Sequence, residues 1–167
     1  VLPTHGGSLR LWVTHADDRR EQAPSVAAVL AEEQRAGLEQ LSAYADLRRR
    51  AGTTKSDLNA FLKNAWREGK KVAGYGAPAK ATTLLNYCGV GRDLLEYTVD
   101  RSPHKQGRMI PGVRVPIEAP EKILERKPDY VLILPWNIKD EVISQMSGVR
   151  DWGAKFLVAI PSLEVID

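Results

Sequence analysis

The sequence predicts an α/β protein with a mostly parallel five-stranded sheet and helices on both faces, preceded by an N-terminal strand and a long helix. Two observations carry this. From Lys70 onward short apolar runs alternate with helical stretches, the pattern of strand–helix–strand units. Before that point, apolar residues recur at helical rather than strand spacing.

The elements follow in order. In "GGSLRLWV" Leu9, Leu11 and Val13 alternate with Ser8, Arg10 and Trp12, as in a half-buried strand. No neighbouring stretch offers it a partner, so it is expected to join a sheet upstream. After a polar linker, Ser25 behind Pro24 is a candidate cap for a helix from Val26 to Arg50. Val29, Leu30, Leu38, Leu41 and Ala45 line one side of it, and Glu32, Glu33, Arg35, Glu39 and Arg48 the wet side. Gly52 is expected to stop it, and a second helix to start near Thr54, with Asp57 at capping-box spacing, and end at Gly69. The organisation expected is 1–23 strand and linker, 24–69 helical arm, 70–167 sheet domain.

The strands predicted are "VAGYG", "LEYTVD", "VRVPI", "YVLILP" and "FLVAIP". Between them lie helices at Pro78 to Tyr87, Pro120 to Arg126 and Ile138 to Met146, the last with Asn137 as a candidate cap. Right-handed crossovers then give a Rossmann-like sheet of strand order 3-2-1-4-5.

Composition narrows the function classes. With 167 residues, 43% hydrophobic and 27% charged, the chain suits a soluble domain with its own core. No apolar run approaches the roughly 20 residues of a bilayer span, and the start does not read as a signal peptide, so a cytoplasmic protein without a membrane partner is expected. One cysteine, Cys88, and three scattered histidines offer neither an internal disulfide nor a zinc ligand set. The only dense basic patch, "LRRR" at Leu47 to Arg50, suits a helix end better than a nucleic-acid surface.

The chemistry concentrates in "VAGYGAPAKATTLLNYCG". Gly74, Gly76 and Ala79 match G-x-G-x-x-G/A between a predicted strand and a predicted helix. Glycines let an anion approach the backbone, and a helix N-terminus offers free N–H donors. Pro78 suits the first helical turn. Lys80 adds a cation, but the spacing is not that of a Walker A loop. Asp100 closes the second strand where a dinucleotide fold places the carboxylate that reads a ribose hydroxyl, so an NAD(P)-binding oxidoreductase domain is one reading. Glycines that merely pack a turn, in a non-catalytic interaction domain, are another. "DRSPHKQGRMIPG", with His104, Lys105 and Arg108, and "PWN", with Trp136 and Asn137, are predicted to reach the same carboxyl edge of the sheet.

Taken together, "THGGSLRLWV", "GKKVAGYGAPAKATTLLNYCG", "YTVDRSPHKQGRMIPGVRVPI", "KPDYVLILPWNIKDEVISQM" and "GAKFLVAIP" resemble the C-terminal domain of bacterial S-adenosylmethionine-dependent sugar C-methyltransferases. The resemblance implies a longer parent enzyme with a zinc-binding domain and an S-adenosylmethionine-binding domain upstream of this one. The base for the keto-sugar chemistry would also lie upstream, so His5 is not expected to be that base. The domain in hand would bind neither cofactor, would be inactive alone, and would grip the nucleotide diphosphate of the keto-sugar, with the upstream domain as its partner. Gly74, Tyr75, Gly76, Ala77, Pro78 and Lys80 are the candidate grip, with Lys105 and Asn137 behind them.

Overall fold

Apolar side chains alternate along the central strands, which therefore supply two opposite cores, and the helices are placed to cover both. The computed structural model describes Leu2 and residues 7–167; His5 and Gly6, named above within the N-terminal motif, lie outside the described residues. The chain forms two compact units, Val1–Gly52 and Thr53–Asp167.

In the first unit, α1 (Pro24–Arg35) begins with Pro24 in its first turn and no capping side chain, so Ser25 is not the cap. A missing N–H costs nothing there, and the ring presets φ for the helix. The helix expected to run from Val26 to Arg50 breaks at residues 36–40, and α2 spans Leu41–Arg67. Gly37 takes the left-handed conformation, φ 70°, which a helix-ending residue needs. Gly52 is not among the positive-φ glycines and sits inside α2, as does Asp57; a single helical glycine costs only about 1 kcal/mol relative to Ala. Residues 9–13 form no strand. Their alternation has no sheet to face, and Leu11 is 73% and Val13 90% exposed.

In the second unit, the sheet has the order β3-β2-β1-β4-β5-β6. It comprises β1 (Val72–Tyr75), β2 (Thr98–Val99), β3 (Ile117–Glu118), β4 (Tyr130–Ile133), β5 (Lys155–Val158) and β6 (Glu164–Ile166). The first five are parallel, in the expected order, with Gly74 opposite both Thr98 and Leu132. The fold is therefore Rossmann-like, with one addition: β6 pairs antiparallel with β5. An antiparallel return needs only a short link, and its three residues, Glu164, Val165 and Ile166, carry too little pattern to be read as a strand.

The helices α3 (Ala79–Cys88), α4 (Glu121–Arg126) and α5 (Lys139–Gln145) fill the crossovers. Leu58 and Leu62 of α2 and Leu84 and Leu85 of α3 pack with Leu132, Leu134 and Leu157 on one face. Ile123 of α4 and Val142 of α5 pack with Tyr75, Val99, Val131, Ile133 and Phe156 on the other. Asn137 does not cap α5: it lies in a 3-10 turn, Trp136–Ile138, ahead of the helix.

Candidate functional site

The switch point of an open parallel sheet lies where crossovers diverge to opposite faces, here between β1 and β4, and ligands of such sheets settle beyond the carboxyl ends of the strands there. Both glycines of the turn at this point are required by close approach. A Cβ on Gly74 would meet Thr98 Oγ1 at 2.6 Å, and one on Gly76, at φ +86°, would meet Pro135 Cδ at 2.7 Å. Thr98 Oγ1 donates to the Gly76 carbonyl at 2.9 Å, which ties the turn to β2.

The backbone donors of the turn have partners within the chain. The Gly76 N–H donates to the Val99 carbonyl at 2.6 Å, and the Ala77 N–H donates to Asp100 Oδ2 at 2.7 Å. Asp100 also accepts from the Ser102 N–H at 2.9 Å and from Lys105 Nζ at 3.0 Å. Burial opposes ionisation of this carboxyl, but the donors from Ser102, Ala77 and Lys105 outweigh it and hold Asp100 below the usual carboxylate range.

A cavity of about 190 Å³ opens beside the turn, lined by Tyr75, Gly76, Pro78, Asp100, Arg101 and Lys105 from one side and by Pro135, Ile138, Glu141, Val142 and Gln145 from the other. A second hollow of about 440 Å³ shares Tyr75, Arg101 and Gln145 and extends over Gln106, Pro120 and Met146. Between them runs a polar chain: Tyr75 OH and Arg101 Nη1 donate to Gln145 Oε1 at 3.2 and 3.4 Å, and Gln145 Nε2 donates to Glu141 at 2.8 Å. Burial raises the Tyr75 hydroxyl above its ordinary value, with Arg101 pulling the other way, so it stays a neutral donor.

Of the residues expected at the site, Tyr75, Gly76, Pro78 and Lys105 line the cavity. Gly74 lies within β1 against Thr98, and Ala77 faces Asp100 through its amide. Lys80 and Asn137 meet each other: Lys80 Nζ donates to Asn137 Oδ1 and sits 4.8 Å from the centroid of the Trp136 ring. This cation–π pair joins α3 to the segment after β4. His104 and Arg108 are exposed on the loop. Arg101, Glu141 and Gln145 were not expected at the crevice, Glu141 being read only as an acid favouring the first turn of its helix, where it does lie; Arg101 could have been, since it follows Asp100 at the end of β2. Among the described residues no three His, Cys, Asp or Glu side chains converge as metal ligands, and the Cys88 thiol is buried. A zinc ion does not fit these residues. No helix among the described residues is long and apolar enough to cross a membrane.

Fold and crevice define a Rossmann-like domain with a largely apolar cleft at its switch point, bordered by the cations Arg101 and Lys105. The family model described as the C-methyltransferase C-terminal domain matches residues 3–161, and the chain belongs to that family. It is 36% identical to the C-methyltransferase NovU of Streptomyces niveus over 97% of its own length, and spans 39% of that protein. Among solved structures it is similar to UDP-D-quinovosamine 4-dehydrogenase from Vibrio fischeri, with 19% identity, a TM-score of 0.43, and coverage of 59% of this chain and 93% of that one.

Proposed function

We propose that this domain serves an S-adenosylmethionine-dependent C-methyltransferase by holding the nucleotide diphosphate of a keto-sugar, with the methyl donor and the catalytic base supplied by an upstream domain of the same chain. In such chemistry a base removes the proton alpha to a ketone, and the enolate carbon takes the methyl group from the sulfonium. Holding the nucleotide accelerates that step through orientation alone, and the domain is inactive by itself. The observation that carries the reading is the crevice beyond β1, β2 and β4, where Arg101 and Lys105 stand beside Tyr75 over an apolar floor of Ile138 and Val142. Guanidinium and ammonium groups at a strand edge suit a diphosphate, and the apolar floor suits a base or sugar face.

Calorimetric titration of thymidine diphosphate into the 167-residue chain tests this. Saturable binding that weakens in Arg101→Ala supports it, and absence of heat overturns it. Binding of S-adenosylmethionine by this chain would contradict the division of labour.

A second reading, a non-catalytic interaction domain, is favoured by the apolar side chains left exposed in the first unit, Leu11, Trp12, Val13 and Leu41 among them. The two readings part on the same titration: an interaction domain binds no nucleotide. Under the first reading those side chains are where the upstream domain docks.

A further inference from the structure

We infer that Asp100 is a specificity-determining residue: its carboxylate occupies the anion-accepting amide of the glycine turn and so denies that turn to a pyrophosphate. A strand-turn-helix with this glycine spacing ordinarily holds a dinucleotide's pyrophosphate on its backbone N–H groups, while the acidic residue closing the second strand reaches a ribose hydroxyl. Here the two roles have collapsed into one contact. The Ala77 N–H donates to Asp100 Oδ2 at 2.7 Å, and the carboxylate also accepts from Lys105 Nζ on the same oxygen and from the Ser102 N–H on Oδ1. The Gly76 N–H is spent on the Val99 carbonyl, and Pro78 has no N–H to offer.

The arrangement is built in. Asp100 is 9% exposed, and Gln106 Nε2 fixes its carbonyl at 2.9 Å. A phosphate brought to Ala77 would have to displace a carboxylate that three donors hold, and would otherwise lie against a like charge. An anion entering the crevice is therefore left with Arg101, the free N–H bonds of Lys105 and the first amides of α3 at Ala79 and Lys80, in place of the Ala77 amide. The inference rests on the proposed reading only for the identity of that anion; the block at Ala77 applies to any pyrophosphate.

The test follows the Ala77 amide resonance by nitrogen-15 NMR while inorganic pyrophosphate is added to the 167-residue chain and to its Asp100→Ser variant. The Ala77 resonance of the native chain stays in place, whereas in Asp100→Ser it shifts along a saturating curve and pyrophosphate binds about tenfold more tightly, the worth of one charge-assisted hydrogen bond. A saturating Ala77 shift in the native chain, or no gain in the variant, overturns the inference. Because Asp100→Ser also frees Lys105, the gain is measured again with Lys105→Met added. Its disappearance there would assign the effect to the lysine and sink the role given to Asp100. Should Asp100→Ser fail to fold, Asp100→Asn, which keeps the shape and removes the charge, must show a gain in the same direction, and no gain is again an overturn. Thymidine diphosphate binding by the native chain is a separate result, so the proposed function can fail while the block at Ala77 stands, and the reverse.

Discussion

Thr98 Oγ1 lies 2.6 Å from where a side chain at Gly74 would begin, so strand β1 can sit in register with β2 only because residue 74 has none. Gly74→Ala is expected to destabilise the chain by about 2 kcal/mol, the cost of overpacking a closed site. Urea unfolding measures it, and an unchanged midpoint would mean the two strands part more easily than the hydrogen bond from Thr98 to Gly76 implies.

Gly52 gives the opposite sign. It lies inside α2, and a methyl group added there would have nothing within 4 Å of it, so Gly52→Ala should stabilise the helix by about 0.5–1 kcal/mol. A loss of stability in thermal unfolding would show that the chain does turn at this residue.

Leu62 is fully buried between α2 and the sheet. Its truncation to Ala is expected to cost about 3 kcal/mol, transfer and cavity together, seen as a lower urea midpoint. A cost under about 1 kcal/mol would place α2 off the sheet face.

Acid should weaken the turn. Asp100 has a folded-state pKa below the ordinary 3.8, so its contribution is fully present above that value and is lost as pH falls through the lower, folded one. The stability difference between the native chain and Asp100→Asn therefore narrows on acidification below about pH 4. A gap that stays constant in pH-dependent urea melts would exclude an ionised, well-partnered Asp100.

Lys80→Ala breaks the contacts to Asn137 and Trp136. Lys80 does not line the cavity, so under the proposed function Lys80→Ala leaves thymidine diphosphate affinity unchanged, with calorimetry as the readout, and Lys80 is a brace between α3 and the segment after β4. A weakening of about tenfold, the loss of one charge-assisted contact, would bring Lys80 into the site.

The sheet was legible because its strands are apolar runs separated by helix-length segments, so order 3-2-1-4-5 followed from handedness alone. The helical region was not, because a glycine reads the same whether it is helical, as at residue 52, or left-handed, as at residue 37; the backbone angle that separates them depends on tertiary packing. The glycine turn was placed correctly at the head of α3, and Asp100 at the end of β2. What the letters could not carry was that these two meet, since a side chain's choice between a ligand and a neighbouring amide is decided by a few tenths of an ångström. Gln145 and Glu141 escaped for a related reason: they sit on α5 and reach the crevice only through the crossover geometry.

The antiparallel return of Glu164–Ile166 along Phe156–Val158 also decides how this sheet meets other molecules. It covers the edge of β5 with a strand of only three residues, at the head of which Glu164 pairs with Lys139 at 2.8 Å. So brief a margin gives a stray extended peptide little to zip onto, which protects the chain against templated self-association from that side.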